Sequence, residues 1–263
     1  MVDFEYKDKY NVYDLVKLVK VLRAPGGCPW DIEQTHESIR RDFLEETYEA
    51  IEAINEKSVE HLREELGDVL LQVIFHADIE EDAGHFNIDD VADENVKKLI
   101  LRHPHVFGDV RADTPDEVLS NWDDIKREEK HQETVTDAMN AVAKSLPATW
   151  RAEKVQKKAA KVGFDWKNAS EALEKVSEEK SELEEAIKNG GDIGGELGDL
   201  LFSVINAARL LKLDPEEMLN RATDKFIARF SRVESEVLEK GLDMREMDIG
   251  ELDRLWDSAK ERE

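Results

Sequence analysis

Apolar residues recur at three- and four-residue steps along most of the chain, the spacing of helices that each bury one face. Leu62, Leu66, Val69, Leu70, Val73, Ile74 and Ala77 form one such stripe, and Leu197, Leu200, Leu201, Val204, Ile205 and Ala208 form another. No segment shows a convincing strand alternation. Two helix starts are marked by a capping residue, a proline at the first helical position and a glutamate at the third: Thr114-Pro115-Asp116-Glu117 and Asp214-Pro215-Glu216-Glu217. The six prolines gather near breaks such as Pro25-Gly-Gly-Cys-Pro29, His103-Pro104-His105 and Leu146-Pro147. The pattern predicts an all-α protein of two similar helical units, spanning 10–135 and 146–263 and joined between roughly Thr134 and Trp150.

The two units share more than their period. Glu45-Glu46-Thr47-Tyr48-Glu49 is followed by Glu65-Leu66-Gly67-Asp68, and Glu178-Glu179-Lys180-Ser181-Glu182 is followed by Glu196-Leu197-Gly198-Asp199. On a helix, residues three apart share a face, so Glu179 projects with Glu182 and Glu196 with Asp199. Asn189-Gly190-Gly191-Asp192 reads as a turn that lets the two helices run antiparallel and bring the carboxylate pairs opposite one another. Four close carboxylates repel unless a cation holds them, and an all-oxygen set favours Mg²⁺ or Mn²⁺ over zinc. Gly198 would let a neighbouring helix or a substrate approach. In a chain with 62 acidic residues, an isolated Glu-Glu-x-x-Glu is ordinarily a solvated helix face. The ordered pair of motifs, found twice, is what points to a metal.

Composition narrows the partners. The net charge of -25 is spread along the chain, which disfavours nucleic-acid polymers and anionic membranes as partners. The single cysteine, Cys28, rules out an intrachain disulfide and removes paired-Cys zinc sites. The polar start lacks a leader-like apolar core, and no apolar run approaches the about 18 residues a membrane span needs. A cytoplasmic setting is expected. There is no Walker phosphate loop.

The paired Glu-Glu-x-x-Glu and Glu-x-x-Asp motifs resemble those of the all-α nucleoside triphosphate pyrophosphohydrolases. Nearly the whole layout resembles the tandem-domain members of the MazG family. Supporting segments are Gly27-Cys-Pro-Trp-Asp31, Arg102-His-Pro-His-Val-Phe107, Ala159-Ala-Lys-Val-Gly-Phe-Asp-Trp166 and Lys225-Phe-Ile-Ala-Arg-Phe230. The resemblance implies two tandem MazG-like helical bundle domains in a homodimer, cleaving nucleoside triphosphates between the α and β phosphates with Mg²⁺. It carries the metal-ligand role to Glu179, Glu182, Glu196 and Asp199, and nucleotide contact to Lys175, Lys225, Arg229 and Trp256. Local spacing agrees: Lys175 lies four residues before Glu179, and Lys225 and Arg229 are one turn apart. Without the resemblance, Lys225 and Arg229 read as a solvated face and Trp256 as core.

Glu46, Glu49, Glu65 and Asp68 in the first half could also bind metal, but only Arg102 and His103 stand near the place of the Lys225–Arg229 pair. In similar tandem proteins the C-terminal domain is the catalytic one, and the N-terminal domain supports it. One departure is that Asp192-Ile-Gly-Gly195 stands where family members can carry a basic residue. This implies a weaker phosphate grip there, or one made by glycine amides. The alternatives are a non-catalytic metal-binding scaffold and a specialised pyrophosphohydrolase acting on phosphoribosyl-ATP or dUTP. A di-iron bundle would want Glu-x-x-His motifs. Glu33-Gln-Thr-His36 and Glu128-Glu-Lys-His131 fit that spacing but lie off any strong apolar stripe.

Overall fold

Both helix starts marked by a capping residue and a proline are used. Thr114 Oγ1 accepts from the Glu117 amide, and Asp214 accepts from the amides of Glu216 and Glu217. The computed structural model describes residues 4–112, 114–129 and 132–261. It divides into two compact units, Met1–Lys126 and Arg127–Glu263. Among the described residues there are helices and no strands. The first unit carries α1 (Val12–Arg23), α2 (Pro29–Glu33), α3 (His36–Glu56), α4 (Val59–Asp82), α5 (Ile88–Arg102) and α6 (Pro104–Phe107). The chain passes from one unit to the other along α7 (Pro115–Glu129). The second unit carries α8 (Val135–Asn140), α9 (Ala148–Ala160), α10 (Ala169–Asn189), α11 (Ile193–Leu210) and α12 (Pro215–Glu239). A 3₁₀ turn, Met244–Glu246, then leads to α13 (Ile249–Glu261).

Each unit is built around a helical hairpin with a tight turn. In the first, Lys57 takes a left-handed conformation (φ 58°) after α3, and Ser58 caps α4 by accepting from the His61 amide. In the second, Gly190 takes the left-handed position (φ 76°) that glycine adopts without steric cost, and Asp192 caps α11. The Asn189–Asp192 segment is therefore the turn that its residues predict, and α10 runs back along α11.

The first unit's core gathers Val19 of α1, Ile39 of α3, and Ile74 and Phe75 of α4. Ile74 is 1% exposed, so Ile74→Ala is expected to cost about 2–5 kcal/mol through lost burial and a residual cavity. Urea unfolding followed by circular dichroism measures it. In the second unit, Val233 and Val237 of α12 meet Ala259 of α13, with Met244, Met247, Leu255 and Trp256 around them.

The α11 stripe behaves differently from its pattern. Only Ser203 and Ala207 of α11 are buried, whereas Leu197, Leu201 and Val204 are 46–57% exposed. Among the described residues, the other helices leave this part of the apolar face uncovered, while Leu200, Ile205 and Ala208 of the stripe are half-buried.

Candidate active site

The hairpin of α10 and α11 brings the second acidic motif together. Carboxylate oxygens of Glu179, Glu196 and Asp199 lie within 4.8 Å of one another. Glu179 is buried, Glu196 half-buried and Asp199 exposed, so the cluster opens from the hairpin to solvent. Lys175, one turn before Glu179, places Nζ 2.6 Å from Glu179 Oε1 and 3.0 Å from Glu178 Oε1. Hydrogen bonds to these two carboxylates hold the ammonium well above its ordinary pKa. Glu178 is a partner the sequence reading left out, although its three-residue spacing from Lys175 marks it.

Glu182 stands outside the tight trio and is exposed. Its carboxyl is nonetheless raised above its ordinary range, first by desolvation and then by the negative Glu179 and Glu196, with Lys175 opposing. The site thus concentrates negative charge faster than its one nearby lysine offsets it. A donor set made wholly of carboxylates, with one member open to solvent, fits a hard divalent cation that keeps positions for water or phosphate.

Gly198 leaves open space, since a Cβ there would meet nothing within 4 Å. Among the described residues, no neighbouring helix uses the room. The amide of Gly195 is already taken, because it donates to Asp192 Oδ1 at 3.0 Å. Of the glycine amides considered for phosphate binding, this one serves the helix cap instead.

Lys225 and Arg229 lie on α12 as the four-residue pair the sequence suggests. Lys225 is exposed, and the Arg229 guanidinium sits 5.9 Å from the centroid of the Trp256 ring. Trp256 also packs on Phe226, with ring centroids 4.9 Å apart, and belongs to the shell of the α12–α13 core. Its ring is half-buried rather than fully sequestered.

The first unit repeats the carboxylate geometry with different neighbours. Oxygens of Glu46, Glu49 and Glu65 lie within 4.8 Å of one another. Asp68 falls outside that trio, yet its charge helps, after burial, to raise the Glu46 carboxyl. Burial and then Glu49 raise Glu65, whose Oε1 lies 3.2 Å from His61 Nε2. His61 escaped the sequence reading, although its four-residue spacing from Glu65 was visible. Four residues before Glu46, in the place Lys175 occupies in the second unit, stands Asp42.

The first of the two di-iron spacings does not survive in three dimensions. Glu33 ends α2 and His36 begins α3, so the two do not share one helix face. His36 instead shares a hydrogen bond with His76 (Nδ1 to Nδ1, 2.7 Å) and another with Glu80 Oε1 (2.7 Å). His131 of the second motif lies outside the described residues. His103 caps the short α6 and His105 lies within it, and His103 Nδ1 bonds to the Leu99 carbonyl at 2.6 Å.

Comparison with known proteins gives the same duplication. A family model described as the MazG nucleotide pyrophosphohydrolase domain matches residues 34–107 and again 167–233. The chain is 45% identical over 247 residues to the Thermotoga maritima protein named nucleoside triphosphate pyrophosphohydrolase/pyrophosphatase MazG, covering 94% of each. It is 41% identical over 254 residues to the Escherichia coli K12 nucleoside triphosphate pyrophosphohydrolase, covering 95% of this chain and 97% of that one. It is also 47% identical over 249 residues to the Bacillus subtilis protein YabN, spanning 94% of this chain and 51% of that longer protein.

Proposed function

The chain belongs to the MazG nucleotide pyrophosphohydrolase family, and on that premise we propose that it hydrolyses nucleoside triphosphates between the α and β phosphates, releasing a monophosphate and pyrophosphate. The observation that carries the reading is the convergence of Glu179, Glu196 and Asp199 beside Lys175 on one helical hairpin. Mg²⁺, or Mn²⁺, held by Glu179, Glu196 and Asp199 with Glu182 adjacent, would supply Lewis acidity at the phosphate oxygens and offset charge on the departing pyrophosphate.

The protein's own groups do the rest. Lys175 exchanges part of its contact with Glu179 and Glu178 for a phosphate oxygen, a charge-assisted hydrogen bond. A carboxylate of the cluster orients the attacking water and takes its proton. Lys225 and Arg229 neutralise the outer phosphates, and the Trp256 ring flanks the nucleotide from the α13 side. The first acidic trio has Asp42 where the second has Lys175, which supports a supporting rather than catalytic role for the N-terminal unit.

The uncovered apolar faces support a homodimer. Leu201 of α11, with Leu219, Phe226 and Ile227 of α12, are each 55–60% exposed, and a second copy would cover such faces through a two-fold contact. No helix among the described residues is long and apolar enough to cross a membrane.

Two outcomes are expected. Purified protein should turn over nucleoside triphosphates with added Mg²⁺, lose turnover with excess chelator and regain it on adding Mg²⁺ or Mn²⁺. Turnover that persists unchanged in chelator would sink the metal assignment. Lys175→Ala should lower kcat/KM by about 10- to 100-fold, the range for losing one charge-assisted hydrogen bond. Steady-state kinetics at saturating Mg²⁺ measures it.

A further inference from the structure

All seven histidines fall at or before position 131, so helices α8–α13 carry none. Three of them meet one glutamate in the first unit. His36 is the first residue of α3, His76 and Glu80 stand one turn apart on α4, and His85 follows that helix. His36 Nδ1 lies 2.7 Å from His76 Nδ1, and the two rings stack with centroids 5.0 Å apart. The other His36 nitrogen, Nε2, reaches Glu80 Oε1 at 2.7 Å, and His85 Nδ1 reaches Glu80 Oε2 at 2.6 Å. Phe43 of α3 packs on the His76 ring, with centroids 5.5 Å apart.

The cluster has no counterpart in the second hairpin. Eleven residues after Glu65 stands His76, whereas eleven after Glu196 stands the buried Ala207. In the first hairpin, the Lys57–Ser58 turn joins α3 to α4 at one end. The Glu46, Glu49 and Glu65 trio lies between, and the histidine–glutamate chain ties the open end.

This chain of bonds limits how many protons it can hold. As a carboxylate, Glu80 accepts one N–H from His36 and another from His85. The contact between the two Nδ1 atoms holds one proton. The pair can carry one imidazolium, but with both rings protonated two N–H groups point at each other and two cations touch. Burial first, and then the charge of His36, hold His76 below the ordinary histidine range. Hydrogen bonds from His85 and His36 hold the Glu80 carboxyl below its own ordinary range. Other charges on the packed elements are engaged elsewhere or exposed. On α1, Lys20 pairs with Glu81, and Arg23 with Asp78 and Asp82. Glu37 and Arg40 on α3, and Asp89 and Asp90 at the start of α5, are exposed.

A histidine whose folded pKa is depressed takes up its proton when the structure opens, so acid favours opening. Its contribution is full above the ordinary histidine pKa of about 6.5 and is lost as pH falls from there. Glu80 acts in the same direction at lower pH, its contribution being lost below the ordinary glutamate range. We propose that His36, His76 and Glu80 form an acid-released clasp that holds the open end of α3 against α4, so that the first unit loosens at mildly acidic pH while the second unit's hairpin does not.

Hydrogen exchange of the full chain, followed by mass spectrometry from about pH 7.5 to about pH 5 and corrected for intrinsic exchange rates, tests the clasp. Protection across residues 36–43 and 72–80 should fall by up to about tenfold per pH unit, the slope of one proton taken up per opening. Protection across α10 and α11 should stay level. His76→Asn puts an amide nitrogen near the place of Nδ1, keeps a bond to His36 and cannot titrate. It should remove the slope while leaving most of the protection at neutral pH. If that variant does not fold, the imidazole resonances of the wild-type protein decide: His76 should titrate below the ordinary range and in step with the lost protection, and titration out of step would refute the clasp. A level wild-type profile, a slope that persists in folded His76→Asn, or a parallel fall in α10 and α11 would overturn the proposal. So would a rise in protection at residues 36–43 and 72–80 on adding Zn²⁺ at neutral pH, which would make the cluster a metal site instead.

Discussion

Glu196→Gln is expected to lower nucleoside triphosphate turnover by roughly a thousandfold or more, the scale of losing a group that stabilises charge in the transition state. Glu196 sits in the first turn of α11, half-buried, with its carboxylate inside the 4.8 Å trio with Glu179 and Asp199. The amide keeps the shape and removes the charge. It also turns one of two acceptor oxygens into a donor, which faces the cation unfavourably. The fold should not suffer, because removing one of three clustered negative charges relieves repulsion. The far-UV circular dichroism spectrum should therefore match wild type, and the thermal midpoint should hold or rise. Glu65→Gln, the matching change in the first trio, should leave most turnover intact. If Glu196→Gln stays active while Glu65→Gln does not, the chemistry belongs to the N-terminal unit.

Arg23→Ala should destabilise the first unit by about 3–5 kcal/mol, the usual penalty for stranding a buried charge. Arg23 lies at the end of α1 with its side chain 8% exposed. Its Nε is 2.7 Å from Asp78 Oδ2, and the Asp78 side chain is 7% exposed. The same guanidinium donates to the Asp31 carbonyl at 3.1 Å and reaches Asp82 at 3.0 Å, so one side chain ties α1, α2 and α4 together. Burial already raises the Asp78 carboxyl, with Arg23 pulling it back down. Without Arg23, burial and the neighbouring Asp82 charge both push the carboxyl up, opposed by Lys20. Urea unfolding of the single variant, compared with Arg23→Met combined with Asp78→Leu, separates the two contributions. The double variant should recover most of the loss; an equally unstable double variant would mean that geometry, not the stranded charge, sets the cost.

What could be read in advance divides along physical lines. Local signals were legible: the apolar period of α4 and α11, the caps at Thr114 and Asp214, and the Asn189–Asp192 turn each depend on residues within a few positions of one another. Three of the four expected carboxylates meet for the same reason, since one three-residue spacing and one short turn bring Glu196 and Asp199 to Glu179, whereas Glu182 stands outside the trio. Contacts between distant segments were not. Arg23 and Asp78 are 55 residues apart, and nothing in either neighbourhood announces the pair. Gln156 reads as an ordinary polar position on α9 until α9 packs against α11 and buries it. The amphipathic period of α11 likewise reports that a face is apolar, not which chain covers it.

The account stands or falls on which phosphorus the water attacks. Turnover in water labelled with heavy oxygen, with products resolved by mass spectrometry, locates the new bond. Attack at the α-phosphorus places one labelled oxygen in the nucleoside monophosphate and none in the pyrophosphate, and Glu196→Gln should yield neither product above background. Label in orthophosphate released alongside a nucleoside diphosphate, or in the pyrophosphate itself, would contradict it.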